Sequence, residues 1–342
     1  MKLRYWLMSA ALTSGIAHAG LPTPSSVKAA KATAANNSLC TAIMPFYWEI
    51  GDARGVIVSE SEGVNSSGAP VLGTTKLNVD SSAKWLYGTY VVQVRGSAAN
   101  LTAQDIDFLH MTSGYTNMGG DNHPAGTCPP SDDPDTVNAC LLLDNPANGL
   151  PYDYQNPATI GFFDYDGGHF ENHASQFTAL GNVPNNTLGL TVAAQLGPDV
   201  KLTYSQPLLP GGANMTSEAY GKVLQNIVSG KLAMLGALGI YPVCTLASAT
   251  CDALDSPIPW AWNYSIGHWV EDDPTVNDDG AFSSPGRQGF YPWIEAGKTY
   301  YGLIGRAVVS PHQEGVLSTQ CGQMIRHAWD TGVQQTESIR SR

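Results

Sequence analysis

The sequence predicts a mixed α/β fold: an antiparallel sheet built from both chain ends, flanked by helices, with a mostly helical region inserted. Three observations point there. Short apolar or alternating runs broken by Gly51-Asp52 and Gly55 fill residues 42–60 and read as strands around a turn. Aromatic and β-branched runs split by Gly, Pro and Asp return at 260–270, 289–294 and 299–309. Between the two ends, apolar residues recur at helical spacing. The sheet is therefore expected from about 41–62 and 260–310, and the helical and loop region from about 80–240.

The elements follow in order. Residues 1–19 read as a cleavable export signal, with Lys2 and Arg4 ahead of an apolar run at 6–16 and a small-x-small site at Ala17-His18-Ala19. That run is too short to span a bilayer core of about 30 Å as a helix. No later stretch is long and charge-free enough to do so. A lead at 20–40 follows, whose Ala/Ser/Lys-rich part (22–37) reads as an unstructured linker, and the folded unit is expected over 41–338. After a Ser/Gly loop at 61–68, Asp80-Ser81-Ser82-Ala83-Lys84 precedes Trp85, Leu86, Tyr90 and Val91. Cap-type residues followed by apolar residues at helical spacing mark a helix start. Residues 102–111 read as a helix opened by Thr102, Gln104 and Asp105. A Pro-, Asp- and Gly-rich loop spans 119–157. Residues 170–180, 217–238 and 317–331 are helical in pattern.

Composition narrows the partners. The net charge is −12, charged residues make up 13% and the basic ones are scattered. Nucleic acid and anionic membrane surfaces are thus poor partners. With 43% hydrophobic residues, 36 Gly and 22 Pro, the chain suits one large domain or two intimately packed ones. The cysteines form an even set, as in an oxidising compartment, so a secreted or periplasmic location is expected. Cys128 with Cys140 and Cys244 with Cys251 are close in sequence, which leaves Cys40 to meet Cys321. Sequence alone allows fifteen connectivities. No C-x-x-C spacing supports zinc.

Ser81 and Lys84 carry the chemistry. Residues three apart on a helix share a face, so the amine can sit beside the hydroxyl. A desolvated lysine has a lowered pKa and can accept the serine proton. The motif alone is weak: Ser25-x-x-Lys28 matches it too, and a serine at a helix start is often only a cap. Further residues give it context. Leu109-His110-Met111-Thr112-Ser113-Gly114-Tyr115 follows the Ser-Lys helix, and Tyr165-Asp166-Gly167 comes later. Tyr264-Ser265-Ile266-Gly267-His268-Trp269-Val270, the run from Ser284 to Ile294, and Tyr301-Gly302-Leu303-Ile304 complete the series.

In this order the segments resemble the serine β-lactamase and penicillin-binding-protein family, specifically class C β-lactamases and family VIII esterases. Tyr165 matches the family's Tyr-x-Asn motif. The resemblance implies a β-lactamase/transpeptidase-like fold and an acyl-enzyme route without a cofactor. Ser81 would be the nucleophile, with Lys84 and Tyr165 moving its proton. The N–H groups of Ser81 and, by position, Ser284 would form the oxyanion hole. Two departures bear on substrate. Gly167 stands where the β-lactamases have an amide-binding asparagine. Ala281-Phe282-Ser283-Ser284 replaces the usual Lys-Thr-Gly or His-x-Gly. The cation that greets a substrate carboxylate is therefore missing from its usual place, with Arg287 or Lys298 as possible substitutes. Gly167, His169, Ser283 and Arg287 are the pocket candidates. The expected substrate is a small or oligomeric neutral ester or simple amide. A β-lactam or D-Ala-D-Ala peptide is the alternative.

Two readings compete. His169 and His173 stand four apart around Glu171, and His123 or Asp166 could complete a metal set, but the H-E-x-x-H order is absent. His169, four residues past Tyr165, is instead expected to face the same cleft and tune the base. A binding protein that keeps this fold without turnover would explain the eroded motifs, yet it gives no reason to retain Ser81, Lys84 and Tyr165 together. Neither a G-x-S-x-G elbow nor a phosphate-binding glycine pattern occurs in a suitable frame.

Overall fold

The structure, a computed structural model, describes residues 23–119, 128, 135–276, 278–308 and 313–337. The expected export signal and His123 lie outside them. The stretch read as a loose linker is helical: α1 (Pro24–Asn36) starts where Thr23 accepts the Ser26 N–H at 3.1 Å and Pro24 needs no N–H partner. Its buried Ala29, Ala30, Thr33 and Ala34 form a small-residue face, a periodicity masked by the low-complexity composition. The short α2 (Ser38–Thr41) carries Cys40.

Strands β1 (Phe46–Asp52) and β2 (Gly55–Glu62) form the first hairpin. Period-two alternation divides β1 between two cores. Phe46, Trp48 and Ile50 enter the smaller one, while Tyr47 enters the larger. Full burial of residues such as Phe46 and Ile50 contributes roughly 1.5–3 kcal/mol each. Next come β3 (Lys76–Asn78), a one-turn 3-10 helix at Asp80–Ser82, and α3 (Ala83–Arg95). Helix α4 (Ala103–Leu109) opens with a capping box of Thr102 and Asp105. The inserted region continues through α5 (Val137–Leu141), β4 (Phe163–Asp164), α6 (Gly168–Phe177) and α7 (Asn185–Leu196).

Helix α7 was not expected from the sequence. Its apolar stripe, Leu188, Val192 and Leu196, is only one residue wide, and Gly189 and Thr191 interrupt its propensity. Packing against α3 stabilises it. Strands β5 (Thr203–Tyr204) and β6 (Ala213–Thr216) join β3 in a small sheet, and α8 (Ser217–Val228) leads back to the main one.

The chain then adds β7 (Val243–Cys244), β8 (Ala253–Asp255), β9 (Asn263–Tyr264), β10 (Trp269–Val270), β11 (Phe282–Ser283), β12 (Tyr291–Ile294) and β13 (Tyr300–Gly305). Helix α9 (Glu314–Thr331) follows. The main sheet has eight antiparallel strands in the order β2-β1-β13-β12-β11-β10-β9-β7. Its seam joins the two chain ends, with Tyr47 opposite Gly305 and Asp52 opposite Tyr300. Helices α1 and α9 cover one face over Trp48, Tyr291 and Trp293, and α8 packs on the other. The disulfides pair Cys40 with Cys321, Cys128 with Cys140, and Cys244 with Cys251. No described helix is long and apolar enough to cross a membrane.

Candidate active site

Ser81 sits on a turn that three segments hold in place. Asp80, just before it, has φ 45°, a left-handed conformation that costs a non-glycine residue free energy and needs outside support. That support comes from both of its polar ends: its N–H donates to Asn78 Oδ1 at 2.7 Å, and its carboxylate accepts the Gln288 N–H at 2.8 Å. Ser82 Oγ donates to the Ser284 carbonyl at 2.5 Å, and Tyr220 donates its hydroxyl to the Ser82 carbonyl at 2.8 Å. Ser284 Oγ donates to the Ser81 carbonyl at 3.2 Å. The approach is so close that a Cβ on Gly286 would lie 2.4 Å from the Val79 carbonyl oxygen. Only glycine fits there.

One helical turn on, the buried Lys84 directs its Nζ to Ser81 Oγ at 3.0 Å and to the Pro210 carbonyl at 3.1 Å. The same Nζ lies 4.6 Å from the centre of the Tyr165 ring. Tyr165 is itself fixed, stacked on Trp269 at 5.4 Å and edge-on to Tyr264 at 6.1 Å. Helix α3 lies hard against the β9–β10 turn, where Gly267 (φ 71°) has no room for a Cβ beside the Lys84 carbonyl. The i,i+3 pair and Tyr165 foreseen in the sequence are thus brought together.

Two buried carboxyls share the electrostatic field of Lys84. Asp166 accepts N–H bonds from Gly119 and Gly168 at 2.7 Å and from Met118 at 3.2 Å. Burial pushes its pKa up to about 6, against the pull of those N–H groups and of Lys84. Glu171 is fully buried on α6 and accepts the Leu209 N–H at 2.5 Å. Burial drives its pKa well above the usual carboxylate range, more than Leu209 and Lys84 lower it.

Ser81 and Tyr165 open onto a cavity of about 650 Å³, walled by Ile258, Trp269, Arg287 and Glu314 among others. The 256–259 segment forms one side and the first turn of α9 another. Glu314 is held by Arg306 at 2.7 Å.

The remaining candidates separate. Arg287 lies on the cavity wall. His169, expected to face the cleft, is instead fully buried, with Nδ1 2.7 Å from Ser113 Oγ. Burial takes its pKa down to about 3. Its position on α6 explains this: the helix begins at Gly168, after Tyr165, and turns His169 and His173 inward. His173 binds the Tyr87 hydroxyl at 2.6 Å and Asp105 at 2.9 Å, so the two histidines serve different partners. Gly167 does not line the cavity and faces Pro210 and Met118. Ser283 is buried in the sheet. The Ser284 N–H, expected at the oxyanion, donates to the Pro292 carbonyl at 3.3 Å as the β11–β12 ladder continues. Lys298 is tied to the Leu238 carbonyl at 3.1 Å. The Pro210 carbonyl and the α9 end of the cavity had no signal in the sequence, because long-range packing places them there.

No protein-family model and no curated protein matches the chain. Solved structures do. EstCE1, a hydrolase with promiscuous acyltransferase activity, superposes with a TM-score of 0.59 at 12% identity, over 90% of this chain and 98% of that one. Unliganded simvastatin synthase (LovD) from Aspergillus terreus gives 0.54 at 13% identity, over 90% and 96%. The octameric penicillin-binding protein homologue from Pyrococcus abyssi gives 0.54 at 11% identity, over 86% and 76%. The chain has the serine β-lactamase/penicillin-binding-protein fold. Within this β-lactamase-like fold, Ser81 lines the cavity and Lys84 is buried behind it.

Proposed function

We propose that the chain is an exported serine hydrolase that works through an acyl-enzyme on Ser81 and cleaves a carboxylic ester or simple amide. The observation that carries this reading is the 3.0 Å contact between the buried Lys84 Nζ and the Oγ of Ser81, which lines the cavity. As a neutral amine, Lys84 takes the Ser81 proton while Oγ forms a bond to the substrate carbonyl carbon. The tetrahedral intermediate collapses by expelling the alcohol or amine, which leaves with the proton returned through Lys84 and Tyr165. The Tyr165 ring beneath Nζ favours the ammonium form created by the transfer. Water then attacks the acyl carbon and frees Ser81. The Ser81 N–H, at the start of its turn, is the candidate oxyanion donor. With the Ser284 N–H turned to β12, the second donor would have to come from substrate-induced adjustment of that strand end.

The choice of a neutral substrate rests on the missing cation. Residues 281–284 carry none and Lys298 is committed elsewhere. A second reading, a β-lactam or D-Ala-D-Ala peptide, is favoured by Arg287 on the cavity wall, the one basic residue among the described lining residues. Three disulfides fit an oxidising compartment, which supports export.

The test is labelling with a fluorophosphonate, beside Ser81→Ala, followed by p-nitrophenyl esters against a chromogenic cephalosporin. Labelling lost in Ser81→Ala, with ester turnover and slow cephalosporin cleavage, supports the esterase. Fast cephalosporin cleavage keeps the nucleophile and reverses the substrate. Absence of labelling and turnover makes the chain a binding protein on this fold.

A further inference from the structure

Behind Lys84 lies a group that the acyl-enzyme scheme does not use. Glu171 projects from α6 into the larger core, with no exposed surface, and its Oε1 takes the Leu209 N–H at 2.5 Å. Its Oε2 is buried without a hydrogen-bond partner among the described residues. The residue after Leu209 supplies the carbonyl that receives Lys84 Nζ at 3.1 Å. One carboxyl therefore fixes the turn against which the amine rests and also stands within its electrostatic reach.

We propose that Glu171 is the positioning residue of Lys84: it clamps the 209–210 turn and, by sharing a titration with the amine, sets the pH at which Lys84 becomes a base. The inference rests on the reading of Lys84 as the base for Ser81. The groups facing Glu171 are Lys84 and Tyr87 from α3 and Tyr204 from β5; Asp166 adds a second carboxyl near Lys84. Both tyrosines are pushed upward by burial and stay neutral. Buried within electrostatic reach of one another, a carboxyl and an amine titrate as a pair rather than as two independent sites. Burial keeps Glu171 from being a permanent anion, but as the pair loses protons its negative charge holds Lys84 as the ammonium. Removing that charge frees the amine at lower pH.

The experiment follows the second-order rate of fluorophosphonate labelling across pH for the wild type, Glu171→Gln, Glu171→Asp and Lys84→Ala. The readout is the pH at half of each protein's own plateau, which a simple loss of packing does not move. Glu171→Gln keeps an acceptor for Leu209, and its acid limb is expected about one pH unit below that of the wild type. Glu171→Asp, which retains the charge but withdraws it by one methylene, is expected between the two. It keeps the test open if the Gln variant fails to fold. Limbs that superimpose, while Lys84→Ala has lost labelling, overturn the role of Glu171 and leave the base assignment standing. A Lys84→Ala protein that labels like the wild type overturns both.

Discussion

Two charge clusters, one reaching the surface at Asp279 and one wholly buried, show how one fold treats the same side chains differently. On the α9 side, Arg326 binds Glu271 and Asp279 at 2.6 Å each, while Gln323 donates to the same Glu271 oxygen and Tyr291 to the other. Behind Ser81, Asp166 and Glu171 are held chiefly by backbone N–H groups. The consequence is opposite in sign. Burial pushes the pKa of Asp279, Asp166 and Glu171 upward, yet at Asp279 the charge and hydrogen bonds of Arg326 outweigh it and the pKa falls. At Asp166 and Glu171 burial wins. A guanidinium in bidentate contact fixes charge permanently, whereas amide donors leave a carboxyl able to take up a proton. The first arrangement suits a joint between elements, and the second suits a place where protons move.

The two clusters should respond to mutation in opposite ways. Ser81→Ala and Lys84→Met should lower ester turnover by on the order of 10³–10⁶-fold while leaving the denaturation midpoint near that of the wild type; a parallel fall in stability would show the cluster to be structural. Arg326→Met should do the reverse. It strands the buried Glu271 and costs roughly 3–5 kcal/mol in urea unfolding, with turnover per folded molecule retained. Tyr165→Phe, which keeps the ring under Lys84 and removes the hydroxyl, is expected to lower turnover by about 10²-fold. A variant as active as the wild type would confine Tyr165 to packing.

A smaller effect sharpens the contrast on the sheet. Glu49 on β1 faces α8, accepts the Tyr47 hydroxyl at 2.7 Å, and has its pKa raised by burial to about 7. Because this folded value lies above the ordinary 4.5, its contribution to stability is present below about pH 4.5 and lost as pH rises to 7. Glu49→Gln should thus raise the thermal midpoint relative to wild type at pH 8, with the gain shrinking by pH 4. A gain that does not vary with pH would rule out titration of this group as its source.

Much of this was legible in the sequence, for local reasons. Alternating Phe46 to Ile50 and the aromatic runs near 291–304 announce strands, and the three-residue spacing of Ser81 and Lys84 fixes their contact. Cap residues Thr102 and Asp105 mark α4. The failures are equally physical. Composition at 22–37 hid a small-residue face that becomes visible only against α9, and α7 gains from α3 what its own sequence lacks. Counting from Tyr165 points His169 to the cleft, but a helix that begins between them sets a different phase. The Glu171–Leu209 and Lys84–Pro210 contacts join distant segments, so no local pattern can announce them.

The pairing of β1 with β13, locked by Cys40–Cys321, has a consequence for how the molecule is made. The first strand leaves the ribosome early and its central neighbour almost last. Through most of synthesis the hairpin of β1 and β2 presents a raw hydrogen-bonding edge with Trp48 uncovered, a template for pairing with other chains. Closure over so long a loop is slow, so the uncovered edge of the hairpin persists until the C-terminal strands pair with it.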